Sequence, residues 1–147
     1  MLRLIATYIT FSVFASLVFV TSVQAEKRCA KTNQPVDRIT TQLVNDLLSG
    51  DYDSFIREIG KSIPMNDSNS GFINPLREHF PNGFSQCRYV GKKKLSENLS
   101  TYFVELSTHE GSVFVYMLSL KENSGFAGGI MQIQISTDFV EIFEYWS

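Results

Sequence analysis

Two histidines, two cysteines and a run of carboxylates near the C terminus are the residues whose types could do chemistry in this 147-residue chain. Asp138-Phe139-Val140-Glu141-Ile142-Phe143-Glu144-Tyr145-Trp146 interleaves carboxylates with aromatic side chains. Read as an extended segment, it prolongs a fourth strand or forms a fifth. Asp138 and Glu144 then share one face, and Phe139, Glu141, Phe143 and Tyr145 share the other. A carboxylate enclosed by apolar groups has a raised pKa and can act as an acid or base. The plainer account is a solvated edge strand whose charges oppose edge-to-edge pairing. The plainer account is favoured, because no Tyr or Asp oxyanion partner can be pointed to.

The other candidates reduce in the same way. His79 sits beside Arg77 and Glu78 at the end of a short helix, where a cationic ring suits the helix C terminus. His109 adjoins Glu110 in a hairpin turn and is expected to be exposed. Cys29 and Cys87 do not form a CxxC pair, and neither histidine stands near them in a ligand-like spacing. Asn66-Asp67-Ser68 and Asn98-Leu99-Ser100 match the glycosylation sequon. Lys92-Lys93-Lys94 reads as a surface turn tip rather than an anion site. Gly125-Phe126-Ala127-Gly128-Gly129 leads into a strand, not a helix, and reads as a hairpin loop. The Gly-x-Ser-x-Gly and His-Glu-x-x-His motifs and a phosphate-binding glycine loop are absent from the sequence. No residue is therefore assigned a catalytic or metal-binding role, and no cofactor is implied.

These residues stand in a chain that is 44% hydrophobic, 13% aromatic and only 19% charged, which excludes a disordered polymer. With 13 Lys+Arg against 15 Asp+Glu there is no electrostatic footprint for nucleic acid. Residues 1–25 read as an export signal. Arg3 is their single charge, an apolar run extends from Leu4 to Val20, and Val23 and Ala25 are the small residues before the cut. The alternative is an uncleaved membrane anchor. Residues 26–147 then form a single domain in the periplasm or outside the cell, with no membrane contact once the signal is removed. In an oxidising compartment the two cysteines read as a Cys29–Cys87 disulfide.

Helices come first in that domain. Val36, Ile39, Leu43, Val44, Leu47 and Leu48 follow the helical period from Val36 to Leu48, with Pro35 in the first turn and Gly50 as C-cap. Asp51 caps a second helix whose apolar face is Tyr52, Phe55, Ile56 and Ile59. Residues 64–71 form a loop. Asn74 caps a third helix through about Phe80, with Pro75 at its first position.

The period then becomes alternating. Phe84–Gly91, Leu99–Thr108, Ser112–Leu120 and Gly129–Thr137 are the strands, and Lys92 through Asn98 is a turn. On the fourth, Met131, Ile133 and Ile135 face in. Ser112–Leu120 is apolar on both faces, as expected of a strand covered on both sides. The fold class is α+β: two or three N-terminal helices on one face of a curved antiparallel sheet of four to five strands, with one disulfide.

The helix–elbow–helix of residues 44–55, with Leu-x-x-Gly-Asp-Tyr at the elbow, and the long strands after it resemble small exported members of the nuclear transport factor 2-like (cystatin-like, SnoaL-like) superfamily. That resemblance implies a cone of helices and sheet whose open end holds a small ligand. It also implies that enzymes of the polyketide cyclase and ketosteroid isomerase kind would use a carboxylate or His inside the cone. The expected lining is Tyr52, Tyr102, Tyr116, Phe143 and Tyr145, because a tyrosine brings a polar tip that a dry core seldom wants. Asp138 and Glu141 are the expected carboxylates at the mouth. The leading functional expectation is a non-enzymatic exported domain binding a small apolar ligand or a protein partner. The alternatives are an envelope immunity or inhibitor protein that neutralises a toxin or hydrolase, and a SnoaL-like isomerase or cyclase. Oligomeric state is not legible.

Overall fold

The computed structural model describes residues 29, 35–65, 71–122 and 127–147. The export signal, the Asn66 sequon and part of the glycine-rich loop lie outside the described residues.

The first helix, α1, spans Arg38–Ser49. It begins later than the apolar period suggests, because the Asp37 carboxylate caps it, accepting from the Thr40 N–H at 2.8 Å. Pro35 therefore precedes the helix rather than sitting in its first turn. Gly50 ends α1 in the left-handed conformation at φ 78°. Asp51 follows at once as the cap of α2, Tyr52–Ile59, accepting from the Ser54 N–H at 3.0 Å. A Cβ on Gly50 would lie 2.7 Å from the backbone N of Gly83, so the elbow requires glycine for close approach as well as for φ. The crossing chain is pinned there by Phe84 N–H donating to the Leu48 carbonyl at 2.9 Å.

Helix α3 spans Ile73–His79. Its N-cap is Phe72, without a side-chain cap, so Asn74 is not the cap and Pro75 occupies the third position instead of the first. Pro is tolerated there because the first four helical N–H groups have no intrahelical acceptor.

Four strands follow: β1 (Gln86–Lys94), β2 (Leu99–Ser107), β3 (Ser112–Leu120) and β4 (Gly129–Ser136). They form an open antiparallel sheet in the order β1-β2-β3-β4. Lys92-Lys93-Lys94 is strand and not turn: these residues pair with Tyr102, Thr101 and Ser100 of β2. A bulge at Val90, between Tyr89 and Gly91, adds a residue to β1 and lets the ladder run on through the lysines.

The largest correction concerns the C terminus. Asp138–Trp146 is neither a fifth strand nor an extension of the fourth. Phe139–Trp146 is helix α4, capped by Asp138, whose carboxylate accepts from the Val140 N–H at 2.8 Å. Phe139, Ile142, Phe143 and Trp146 have the i, i+3, i+4, i+7 spacing of a helical face, and that spacing wins over the alternation of aromatics and acids. The domain is thus α+β with one disulfide, Cys29–Cys87, Cα atoms 4.5 Å apart.

The sheet is covered on both faces. One face carries Tyr102, Val104 and Leu106 of β2 and Val113, Val115 and Met117 of β3, packed with Leu43, Val44, Leu47 and Leu48 of α1 and Phe55 and Ile59 of α2. The other face carries Phe103 and Tyr116 beneath Ile142 of α4, with Phe114, Leu118 and Trp146 at the border. The double-sided apolar pattern of β3 has this cause.

Candidate functional site

On the helix-bearing face the helices do not reach the outer side of β4. Ile133 and Ile135 are half-buried against the main core, and Met131 is 60% exposed, although all three belong to the inward set. Met131 is the extra residue at the β3–β4 irregularity, where Leu118 pairs with Gln132 but Ser119 pairs with Ile130. Past the end of α2 the chain turns through Ile63 and Met65 and reaches Phe72 ahead of α3. Between these residues, Ile59 and the β4 side chains lies a groove of about 380 Å³. Its lining is Ile59, Ile63, Met65, Phe72, Met131, Ile133 and Ile135, with Gln132 and Gln134 as the polar contributors. That size lies within the range of small-molecule sites, about 300–1,000 Å³, and the lining has their composition.

The tyrosines and acids singled out above are divided by the sheet. Tyr52 is buried at the start of α2, and its hydroxyl donates to the Phe80 carbonyl at 2.6 Å, tying α3 to α2. Tyr102 is buried on the helix-bearing face, and its hydroxyl accepts from the Asp37 N–H at 3.3 Å. Burial raises the Tyr52 hydroxyl above its usual range. Burial raises the Tyr102 hydroxyl as well, helped by the Asp37 carboxylate. Nearby Tyr89 is pushed up to about 12 by burial.

Tyr116 lies on the opposite face, its ring centroid 6.0 Å from that of Tyr145. Asp138, Glu141, Phe143 and Tyr145 all belong to α4 or its cap. Asp138 is consumed by capping. Glu141 accepts a hydrogen bond from the Ser136 hydroxyl at 2.5 Å. Phe143 and Tyr145 are exposed, and Phe143 stacks on Phe139 with centroids 5.5 Å apart. The structure therefore gathers Tyr116, Asp138, Glu141, Phe143 and Tyr145 around α4 and leaves Tyr52 and Tyr102 on the far side of the sheet.

His79 is exposed at the last position of α3. His109 is exposed in the β2–β3 turn, 3.6 Å from the Glu110 carboxylate. Among the described residues no group of His, Cys, Asp and Glu is placed to hold a metal ion. No helix among them is long and apolar enough to cross a membrane.

The groove residues that sequence reasoning missed are Ile63, Met65 and Phe72. Their signal was small: apolar side chains at the edges of a loop otherwise made of Pro, Asn, Asp, Ser and Gly. Ile133 and Ile135 were in view as inward residues, without any sign that the helices would leave them partly uncovered. The chain matches no protein-family model, no curated protein and no solved structure.

Proposed function

We propose that this is an exported, disulfide-bonded binding domain whose groove beside β4 takes a small apolar ligand. The observation that carries the reading is the groove's lining, seven apolar side chains gathered beside β4. The apolar lining favours binding over an isomerase or cyclase, which would need a carboxylate or imidazole against the ligand. The Cys29–Cys87 bridge supports an oxidising compartment, periplasmic or extracellular. The helix–elbow–helix ahead of an antiparallel meander supports the likeness to the nuclear transport factor 2-like superfamily. The ligand cone of that superfamily would correspond to the groove, and α4 stands where a fifth strand was expected.

The test is titration with the neutral dye N-phenyl-1-naphthylamine. Saturable fluorescence enhancement is expected, weakened at least about fivefold by Met131→Lys, which places a charge in the apolar lining. Phe143→Ala, on the opposite face, should leave it unchanged. Absence of saturable binding, or sensitivity to Phe143→Ala alone, would remove the groove as the site.

A second reading rests on α4. Phe139, Val140, Phe143 and Tyr145 are exposed along it, and such a patch suits a protein partner in the envelope, as in an immunity or inhibitor protein. Dye binding sensitive only to Phe143→Ala would favour this reading.

A further inference from the structure

A second cleft opens at the other end of the helix-bearing face, where α1 begins. Its volume is about 330 Å³. Ser100, Tyr102 and Ser119 contribute from the sheet, Lys92, Lys94 and Lys121 stand around them, and the Pro35–Asp37 segment closes one side. Ser100 and Ser119 are direct cross-strand partners on β2 and β3.

Ser119 is 1% exposed, and its hydroxyl has no hydrogen-bond partner among the described residues. An unpaired buried hydroxyl is costly, so a native chain rarely keeps one without a use. The cations around it are also under-partnered. Lys92 Nζ donates to the Pro35 carbonyl at 2.5 Å and lies 5.4 Å from the centre of the Tyr102 ring. Lys94 and Lys121 are exposed, and neither forms a salt bridge among the described residues.

Two carboxylates share the cleft. Asp37 is already committed, since its two oxygens accept from the Thr40 N–H at 2.8 Å and the Thr40 hydroxyl at 3.0 Å. Glu97 stands exposed at the rim.

We propose that this cleft binds a small oxyanion, the carboxylate or phosphate group of a small molecule. One oxygen accepts from Ser119, and the others accept from Lys94 and Lys121. The site is separate from the apolar groove and does not depend on it.

The disulfide-bonded protein is titrated with inorganic phosphate and with acetate at constant ionic strength, followed by amide NMR shifts. Saturable shifts at Ser100, Ser119 and Lys121 are expected, with a dissociation constant on the order of millimolar for such small probes. A response to phosphate alone supports a phosphate ligand, and a response to acetate supports a carboxylate. The double variant Lys94→Ala/Lys121→Ala should weaken binding by about tenfold or more through loss of charge-assisted hydrogen bonds.

Ser119→Ala separates binding from folding. It removes an unsatisfied group, so the melting temperature should hold or rise while phosphate or acetate binds about fivefold more weakly. Three results would overturn the proposal: no saturable response to either anion, wild-type affinity in the double lysine variant, or a lower melting temperature in Ser119→Ala with binding unchanged.

Discussion

The two faces of the sheet are built differently from similar materials. On the helix-bearing face, three helices and Phe84 bury a continuous core in which Leu43, Phe55, Ile59, Val104 and Val115 are fully enclosed. On the other face a single eight-residue helix covers Phe103 and Tyr116 through Ile142, while Phe139, Phe143 and Tyr145 stay exposed. The first face holds its helices through caps, an elbow and a disulfide. The second is held by ring contacts and by Lys93, whose ammonium donates to the Trp146 carbonyl and lies 4.8 Å from its ring. The stability of a sheet face therefore follows from how much apolar surface its cover encloses. α4 is fastened at its cap by Asp138 and at its last turn by Lys93.

The sharpest break of this comparison is a pair of truncations. Leu47→Ala should cost about 2–5 kcal/mol in urea unfolding, because the main core has no slack to close the cavity. Ile142→Ala should fall at the low end of that range, about 2 kcal/mol, because α4 lies at the surface and can settle toward Phe103. Equal losses would mean that the two faces are equally constrained.

A smaller effect is expected at Gly91. A Cβ there would lie 2.7 Å from Cζ2 of Trp146, so the ring must move. Gly91→Ala should cost about 1–3 kcal/mol by overpacking and shift the emission of the chain's single tryptophan to the red. Far-ultraviolet circular dichroism should remain unchanged, since the main core is untouched. Unchanged emission would show that Trp146 does not rest on β1.

The smallest effect belongs to Asp46, at the end of α1. Burial is the main cause that raises its carboxyl above the ordinary value. The Asp51 and Glu58 carboxylates add to the rise, while Ser54 and Arg57 oppose it. The folded state then holds the proton more tightly than the unfolded chain. Stability is greatest with Asp46 protonated and declines as pH rises through the carboxylate range. Asp46→Asn should be slightly more stable than the wild type at neutral pH and indistinguishable from it in strong acid, measured as the urea midpoint against pH. A deficit at neutral pH would show that the charge is compensated.

Local signals carried most of the element assignments. The Gly50-Asp51 elbow was legible because glycine readily takes the left-handed C-cap conformation and aspartate supplies the N-cap acceptor of the next helix. The limits of β3 were legible because its apolar run is bounded by polar turns. Disulfide pairing followed from having only two cysteines.

The C terminus was misread because residues 138–146 satisfy two periods at once. Phe139, Glu141, Phe143 and Tyr145 alternate, while Phe139, Ile142, Phe143 and Trp146 repeat helically. The aspartate cap, with Glu141 in the first turn at the positive helix end, favoured the helix. The lysine run was misread because three adjacent like charges suggest a turn. In the fold they are separated by the pleat, with Lys92 against Pro35 and Lys93 against Trp146. The groove was not legible, since it arises from where α2 ends and α3 begins beside β4, a property of packing and not of any single segment.

The disulfide has a consequence for the unfolded chain. Cys29 and Cys87 are 58 residues apart, and the ring they close contains all of α1, α2 and α3, while β2, β3, β4 and α4 lie outside it. Closing a ring of that length removes chain entropy corresponding to about 4 kcal/mol at most. This is a large part of the 5–15 kcal/mol margin typical of a domain. In the oxidised unfolded chain the helical half is therefore already closed into a ring, and the same sequence kept reduced would start from a much wider ensemble. Oxidation acts here as a condition on where the fold is stable, independent of any ligand.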